Sequence, residues 1–578
     1  MYLDKKGHQE THTPTSNFRL SRWKHKALRP VAIISTLAIL WTQYFRDNLR
    51  GLQTIQPVAD REFQWDCITP GKQLIYHPCY ENGDFECARL ELPMNYNATD
   101  SEGAKIALAV IRLPARVPVT DVRYGGPVIL NPGGPGGSGV SLAVTRGKAI
   151  QKIIDFETSP DHADAQSSSA KYFDVISFDP RGVKNTTPQL SCFVNSAARD
   201  AWQLELEVEG NSGSSDIAFD HLWARAKAFS DTCSTLDVDA GGSEWIGRFM
   251  NTPPVVADMV ELIERHGEWR EKESTRCLDT GVKSEVQVQN TRRNKWQKGE
   301  EKILYWGFSY GSVLGATFAA LQPHRIHRLV VDGVCDSDDY YDGNWLANLQ
   351  DADSALEKFF DYCHEAGPKS CPFALDSLHT TRERFYDILA DISVNPVAVP
   401  GSTNRGPEIV TYSDVRVIII RSLYSPMANF PILAELLTDH SRRNGSSFAD
   451  LKAQTRKALH DEGNFEALSG ILCTDAKDMH GIAKHEYMKY WQTLQNQSHA
   501  LGDEWSAIPI QLTYYSAVKM SSGFSGAGVL QQNSVGHCSL AASSECTTKF
   551  VRNYFQTGEL PPPGTICEID ARPFGLPG

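Results

Sequence analysis

Four short apolar segments that each end in a turn containing glycine or aspartate constrain the fold of this chain more than any other feature. A longer apolar segment at 106–113 precedes them, and helical stretches separate them along the chain. The four segments are 127–130, 173–178, 302–306 and 328–331. Buried strands with such turns, alternating with helices, are typical of a parallel sheet covered by helices on both faces. The pattern predicts an α/β fold whose functional site lies at the carboxyl ends of the strands.

Changes of pattern divide the 578 residues into four parts. Helical periodicity replaces the strands after residue 335, for example at 355–362, which indicates an inserted helical cap. A strand predicted at 508–515 and a helix predicted at 550–555 complete the core, whereas the polar residues 271–300 indicate a surface insertion. The predicted parts are an N-terminal tail, hydrophobic segment and linker at 1–60, the first part of the core at 61–335, the cap at 336–500 and the C-terminal part of the core at 501–578.

A hydrophobic segment near the N-terminus follows a basic flank. Basic residues between Lys5 and Arg29 precede an apolar run at 31–41, which continues less strongly to Phe45. The run is short for a spanning helix, its basic flank is long for a signal peptide, and no A-x-A-like cleavage site follows. The pattern favours an uncleaved signal-anchor at about 30–45 with its basic side in the cytosol. A cleaved signal peptide and a soluble amphipathic tail are the alternatives.

Glycosylation sequons and cysteines indicate a secretory compartment. The sequence holds 13 cysteines without a C-x-x-C pair, and their odd number leaves at least one thiol free if the others pair within the chain. Some cysteines are alternatively buried small hydrophobic residues. The four sequons are at Asn97, Asn185, Asn444 and Asn496. The short-range disulfide candidates are Cys363 with Cys371, Cys546 with Cys567, and two of Cys67, Cys79 and Cys87.

Charge and composition exclude several classes of function. The 57 basic and 70 acidic residues give a net charge of −13, and no basic block occurs outside the N-terminus, so nucleic-acid binding is not expected. A hydrophobic fraction of 41% is ordinary for a globular chain and too low for a polytopic membrane protein. The 17 histidines form no recognisable metal-ligand pattern. We therefore expect no metal and no cofactor.

The segment Gly307-Phe308-Ser309-Tyr310-Gly311 has the G-x-S-x-G pattern of a nucleophile elbow. It lies directly after a predicted strand and before an apolar stretch that predicts a helix, which is the context that the elbow requires. The small residues permit a strained turn that exposes the serine oxygen. Ser309 is the predicted nucleophile, and a tight structural turn is the alternative.

A nucleophilic serine needs hydrogen-bond donors for the oxyanion that forms during acyl transfer. The amide of Tyr310, at the predicted helix start, is one, and an amide in the glycine-rich loop 133–137 is the other candidate. Gly134, Gly136 and Gly139 also fit the G-x-G-x-x-G pattern of dinucleotide sites, although a lone match is weak. A plain glycine turn between strand and helix is the third interpretation.

His537, in Ser534-Val-Gly-His-Cys538, is the candidate general base. It follows a short strand-like stretch at 528–531, and serine before histidine is the chain order of α/β hydrolases. Position alone supports His537 weakly, because most of the histidines must be structural or solvated.

Taken together, these motifs resemble the secreted tripeptidyl-aminopeptidase-like α/β hydrolases of the proline iminopeptidase group of serine peptidases. The resemblance covers nearly everything after the linker, with the motifs in family order. It rests on Trp65-Asp-Cys67, Cys87-Ala-Arg-Leu-Glu-Leu-Pro93, the loop 131–139, Asp179-Pro-Arg-Gly182, Gly307 to Gly311, Asp332-Gly-Val334, Gly536-His537 and the tail Gly558 to Cys567. It implies an α/β-hydrolase fold with a helical cap that favours peptide N-termini, Ser309 as nucleophile, His537 as base, and Gly134 with Tyr310 as oxyanion amides.

One departure from the family concerns the acid of the catalytic triad. In the family this acid lies in a turn after the strand that corresponds to 508–515, whereas here Tyr515 runs straight into Ser516 to Ser522, which resembles the following helix. Asp503 and Glu504 precede that strand and so lie at its wrong end. Asp332 ends a strand at the catalytic edge and is the substitute candidate, although it also resembles an ordinary family turn.

These observations lead us to expect a serine hydrolase that releases short peptides or residues from peptide N-termini through an acyl-enzyme. A hydrolase fold without activity, arising from the missing turn or an error in the gene model, and an esterase on the same fold are the alternatives. The acidic cluster Asp336, Asp338, Asp339 and Asp342 is interpreted as a loop that caps a helix, with binding of a substrate amine as the alternative.

Overall fold

The computed structural model describes residues 63–80, 83–98, 103–162, 169–239, 245–278, 289, 292–462, 465–477, 482–506 and 514–578. The predicted tail and signal-anchor lie outside these residues. Within the described part of the chain, no helix has both the length and the apolar composition needed to cross a membrane.

A seven-stranded sheet forms the centre of the molecule. Its strands are β1 (His77–Cys79), β2 (Phe85–Pro93), β3 (Lys105–Leu113), β4 (Tyr124–Asn131), β5 (Tyr172–Phe178), β6 (Ile303–Phe308) and β7 (Ile326–Asp332), in the order β1-β2-β3-β5-β4-β6-β7. Strands β4 to β7 are parallel to one another, and β1, β2 and β3 extend the sheet as an antiparallel side.

The parallel strands are apolar because helices cover both faces of the sheet. Every residue of β5 and of β6 is buried, which explains their mostly apolar sequences, and the buried Asp174 of β5 pairs with Arg112. All five predicted strands are present, extended by one to three residues at some of their ends. The fold is therefore the predicted α/β class, with the carboxyl ends of β4 to β7 at one edge.

Helices pack on this sheet and form the long segment that follows β7. The helices that lie before β7 or after residue 506 in the chain are Gly139–Ile154, Ser196–Glu209, Ala218–Asp239, Thr252–Leu278, Tyr310–Leu321, Tyr514–Ser522 and Glu545–Thr557. Those of the segment after β7 are Ser337–Tyr341, Ala352–Ser370, Leu378–Val394, Tyr412–Tyr424, Pro426–Ser441, Ser446–Glu462, Phe465–Asp475, Lys484–Gln497 and Gly502–Trp505.

Short strands supplement the central sheet. Within the helical segment, Val397–Val399 pairs antiparallel with Glu408–Val410. Near the C-terminus, Gln531–Asn533 pairs parallel with Ile566–Glu568, and Ala571–Arg572 pairs antiparallel with Leu576–Pro577.

Two of the sequence predictions need correction. Residues 271–278 are the last two turns of the helix Thr252–Leu278, not part of a surface insertion, and residues 279–288, 290 and 291 lie outside the described residues. The strand predicted at 508–515 does not extend to its end, because Tyr514 and Tyr515 begin the helix Tyr514–Ser522. Its residues 508–513 lie outside the described part of the chain.

Four disulfides stabilise the described residues. Cys79–Cys87, Cys363–Cys371 and Cys546–Cys567 were among the predicted candidates, whereas Cys192–Cys233 joins residues 41 positions apart and was not predicted. Disulfides form and persist in oxidising compartments. The free cysteines among the described residues are Cys67, Cys335, Cys473 and Cys538.

Candidate active site

Ser309 occupies a sharp turn between β6 and the helix Tyr310–Leu321. Its backbone has φ 59° and ψ −125°, a conformation that L-residues rarely adopt and that persists only where the surroundings impose it. The Ser309 N–H donates to the carbonyl of Asp332 at 2.9 Å. The Ser309 carbonyl accepts from the Ser312 N–H at 2.7 Å and from the Ser312 hydroxyl at 2.5 Å. The turn therefore has the backbone geometry of a nucleophile elbow.

The two glycines of the pentapeptide are required by close packing inside this turn. A Cβ at Gly307 would lie 2.3 Å from the carbonyl oxygen of Gly311, and a Cβ at Gly311 would lie 2.8 Å from that of Asn131. No side chain fits at these distances. The pentapeptide is thus compact enough for the chain to reverse between strand and helix.

The glycine-rich loop after β4 packs directly against the elbow. A Cβ at Gly133 would lie 2.2 Å from the carbonyl oxygen of Phe308 and 2.9 Å from the Cβ of Ser309. The Gly133 N–H donates to the side-chain oxygen of Asn131 at 2.9 Å. The loop containing Gly134 therefore lies beside Ser309 and the amide of Tyr310, as an oxyanion hole requires.

Asp179, at the end of β5, anchors the far side of this loop. Its carboxylate accepts from the Ser138 hydroxyl at 2.6 Å, from the Val140 N–H at 3.0 Å and from both nitrogens of Asn185 at 2.8 and 3.0 Å. Burial raises the pKa of Asp179, and these hydrogen bonds lower it. Asp179, the first residue of the motif Asp179-Pro-Arg-Gly182, thus fixes the start of the helix Gly139–Ile154 and, with it, the glycine-rich loop.

His537 is buried next to the helical segment. Its backbone N–H donates to the backbone carbonyl of Tyr424 at 2.9 Å, and the rings of the two residues lie edge to face with centroids 5.0 Å apart. Its Nε2 lies 3.6 Å from the thiol of Cys538, which also lies within hydrogen-bonding range of the Ser309 backbone. The loop that carries His537 is therefore adjacent to the elbow. Burial lowers the pKa of His537 to about 3.

The carboxylate of Asp332 is directed to the residue two positions after His537. One oxygen accepts from the Ser539 N–H at 2.8 Å, and the other accepts from the Ser539 hydroxyl at 2.5 Å and from the Trp306 indole at 3.3 Å. Burial raises the pKa of Asp332, against these hydrogen bonds. The geometry makes Asp332 an anchor of the loop that carries His537.

The acidic cluster at the start of the helical segment is held by lysines of the same chain. Asp336 caps the helix Ser337–Tyr341 by accepting from the N–H groups of Asp338 and Asp339, and its carboxylate lies 2.7 Å from the ammonium of Lys519. Asp342 lies 2.5 Å from the ammonium of Lys477. These contacts fit the interpretation as a capping loop better than the binding of a substrate amine. Among the described residues, no group of three or more histidine, cysteine and acidic side chains has the arrangement of a metal site.

Sequence reasoning missed the residues that hold the site from outside it. Ser539 and Tyr424 position the loop of His537, while Thr252 and Asp475 form hydrogen bonds that reach the side chain of Tyr310. Their partners lie between 58 and 223 residues away along the chain, so no local pattern signals them.

Comparison with known proteins places this geometry in context. Residues 511–567 match a family model described as TAP-like protein. The chain has the α/β-hydrolase fold, and the matched segment includes His537, whereas the elbow and the glycine-rich loop precede it.

The chain is similar to several curated proteins at low identity. It is 26% identical over 404 residues to serine protease Hip1 of Mycobacterium tuberculosis and 27% identical over 406 residues to tripeptidyl aminopeptidase of Streptomyces lividans. Each alignment covers 68% of this chain but only 62% and 60% of those relatives, less than two thirds of their length. Carboxylesterase B of M. tuberculosis is 23% identical over 520 residues, with 83% of this chain and 86% of that protein covered.

Proposed function

We propose that this protein is a serine hydrolase that works through an acyl-enzyme. The Ser309 hydroxyl attacks a carbonyl carbon, His537 accepts its proton and returns it to the leaving group, and water then releases the acyl group by the reverse sequence. The amides of Tyr310 and Gly134 stabilise the oxyanion. The observation that carries this proposal is the strained elbow of Ser309 packed against the glycine-rich loop.

Asp332 has a supporting role in this proposal. Its carboxylate binds Ser539 and so holds the loop of His537, instead of acting as the acid of a triad. The acid-bearing turn of the family that the chain resembles is absent from the sequence, so we expect turnover to be slow.

We propose peptide N-termini as the substrates. Two relatives are named as a protease and a tripeptidyl aminopeptidase, and the segment 336–500 forms a helical cap whose Tyr424 contacts the proposed base. A cap above the nucleophile limits the length of chain that reaches the site. The second candidate substrate class is carboxylic esters, which the relative named as a carboxylesterase favours.

Labelling with a fluorophosphonate tests the nucleophile directly. Such a probe phosphonylates an activated serine even where turnover is poor, so we expect the purified full chain to be labelled and Ser309→Ala to lose the label. Ser274→Ala is the matched control, since Ser274 is a buried serine in the helix Thr252–Leu278 whose hydroxyl donates to the Glu271 carbonyl. Equal labelling of Ser309→Ala and the wild type would exclude Ser309 as nucleophile.

Comparison of free and acetylated substrates separates the two substrate classes. For an aminopeptidase, acetylation of a peptidyl-arylamide substrate lowers kcat/KM sharply, because the cap recognises the free amine. For an esterase, the two peptides are hydrolysed alike and short-chain esters are hydrolysed faster than both.

We also propose that the catalytic part is exported, on the basis of its disulfides, and that the segment at about 30–45 anchors it to a membrane. We propose that the chain has four parts, namely a tail with the hydrophobic segment and linker at 1–60, the first part of the core at 61–335, the helical cap at 336–500 and the C-terminal part of the core at 501–578. Extraction of membranes at alkaline pH tests the anchor. An anchored protein stays with the membrane fraction and remains sensitive to protease added on the lumenal side, whereas a protein with a cleaved signal peptide is released.

A further inference from the structure

A hydrogen-bonded network joins the helical segment to the residue that follows Ser309. Asp475 is the last residue of the helix Phe465–Asp475. Its carboxylate accepts from the Thr252 N–H at 2.7 Å, from the Thr252 hydroxyl at 2.6 Å and from the Tyr340 hydroxyl at 2.8 Å. The Thr252 oxygen in turn lies 2.5 Å from the hydroxyl of Tyr310.

The direction of each proton in this network follows from the carboxylate. An ionised carboxylate only accepts hydrogen bonds, so the single proton of the Thr252 hydroxyl points to Asp475. The Thr252 oxygen is then the acceptor for the Tyr310 hydroxyl. Thr252, Tyr310 and Tyr340 are each at least 97% buried, so the link from Thr252 to Tyr310 is shielded from competing water, whereas Asp475 itself is half-buried.

Tyr310 connects this network to the chemistry. Its backbone N–H is the proposed oxyanion donor at the first position of the helix Tyr310–Leu321, while its hydroxyl is tied to Thr252. A ring fixed at its far end restricts the backbone that carries it, and oxyanion donors act only at well-defined positions.

We propose that Asp475 and Thr252 are positioning residues, through which the helical segment fixes Tyr310 and the oxyanion amide it carries. This inference rests on the proposed function, because it assigns an effect to the oxyanion hole of Ser309. It assigns the helical segment a role in transition-state stabilisation in addition to substrate selection.

Isosteric removal of one hydroxyl tests the proposal. Thr252→Val removes the link between Asp475 and Tyr310, and Tyr310→Phe removes the other half of the same link. We expect each to lower kcat for a peptidyl-arylamide by about tenfold with KM changed less than about twofold, since losing one oxyanion donor outright costs about 10²–10³ in kcat. The double variant should be no slower than either single variant, because both act on one path. Thr252→Ser should restore most of kcat.

Thr438→Val is the matched control. Thr438 is a buried threonine of the helix Pro426–Ser441 whose hydroxyl donates to the carbonyl of Ala434, so the same substitution removes a buried threonine hydrogen bond outside the network. The proposal requires kcat of this variant to stay near the wild-type value. An equal loss in Thr438→Val, or a wild-type kcat in folded Thr252→Val, would overturn it. Should Thr252→Val fail to fold, Tyr310→Phe decides the question in the same way.

The pH dependence of kcat gives a readout that a purely structural role would not move. Burial raises the pKa of Asp475, against hydrogen bonds from Thr252 and Tyr340 that lower it. The groups facing Asp475 are the phenols of Tyr310, Tyr340 and Tyr341, and burial raises the pKa of each, so they stay neutral at acid pH. The kcat of the wild type should fall as protonation of Asp475 removes an acceptor. Asp475→Asn should lack this step, and retention of the step would contradict the assignment.

Fluorophosphonate labelling distinguishes failure of this inference from failure of the proposed function. Absence of Ser309-dependent labelling in the wild type would refute both. Ser309-dependent labelling at equal rates in the wild type and Thr252→Val would refute the positioning role alone. A slower rate in Thr252→Val, with the wild-type rate in Thr438→Val, is the expected result.

Discussion

Substitution of Asp332 by asparagine distinguishes an anchor of the histidine loop from the acid of a catalytic triad. The carboxylate accepts two hydrogen bonds from Ser539, at 2.5 and 2.8 Å, and a longer one from Trp306 at 3.3 Å. In Asp332→Asn, an amide N–H replaces one acceptor and faces a donor. Leaving one buried donor unsatisfied costs about 1–3 kcal/mol of unfolding free energy.

The two roles predict different losses of activity. For an anchor, we expect kcat/KM to fall by about tenfold, in keeping with a small displacement of His537. For a triad acid, loss of the carboxylate costs about 10⁴-fold in kcat in the protease on which that template is based. Ser539→Ala supplies the comparison, because it removes the 2.5 Å hydrogen bond and leaves the carboxylate charged.

The assay combines kcat/KM for a peptidyl-arylamide with urea unfolding of each variant, which separates misfolding from displacement. We expect Asp332→Asn and Ser539→Ala to lose similar amounts of activity, with a double variant close to the worse of the two. A loss near 10⁴-fold in Asp332→Asn beside near-wild-type activity in Ser539→Ala would refute the anchor and identify Asp332 as the acid.

Three further predictions concern single positions. Burial lowers the pKa of His537 to about 3, so its imidazole should stay neutral well below the ordinary pKa of 6.5. NMR titration of histidine-labelled protein, with the His537 signal assigned from His537→Gln, measures this. Because the folded pKa lies below the unfolded one, this group also makes the protein lose stability as pH falls from 6.5 toward 3. Gly133→Ala should abolish labelling of Ser309, because the new Cβ would lie 2.2 Å from a backbone oxygen of the elbow, and wild-type labelling would contradict the packing. After expression in a eukaryotic secretory host, peptide mapping should find glycan on exposed Asn444 and none on Asn185, whose side-chain nitrogen donates to Asp179 at 2.8 Å; a glycan on Asn185 would show that this contact is not maintained.

The parts of the fold that sequence predicts well are those specified by neighbouring residues. Every residue of β5 and β6 and the last four residues of β4 are buried, so their sequences are mostly apolar, whereas β7 is only partly buried. The elbow of Ser309 is signalled locally, because both glycines that its turn requires lie within one pentapeptide, although the loop that packs against them follows the distant strand β4.

Other parts depend on contacts that the sequence does not encode locally. The second half of the helix Thr252–Leu278 is highly charged, which conceals its helical periodicity from a reading of apolar spacing. Cys192, in the segment before the helix Ser196–Glu209, pairs with Cys233 of the helix Ala218–Asp239, and Asp332 reaches Ser539 across 207 positions. The anchoring role that we propose for Asp332 therefore rests on the direction of its carboxylate, which position at a strand end does not determine.

The hydrogen bond between the backbone N–H of His537 and the backbone carbonyl of Tyr424 ties the proposed base to the helical segment. Tyr424 ends a helix of the segment after β7, and Asp332 at the end of β7 also holds the loop of His537 through Ser539. The loop of His537 is therefore attached both to the helical segment and to the sheet that precedes the turn of Ser309. We expect a change in the length of the helical segment near Tyr424 to shift His537 relative to Ser309.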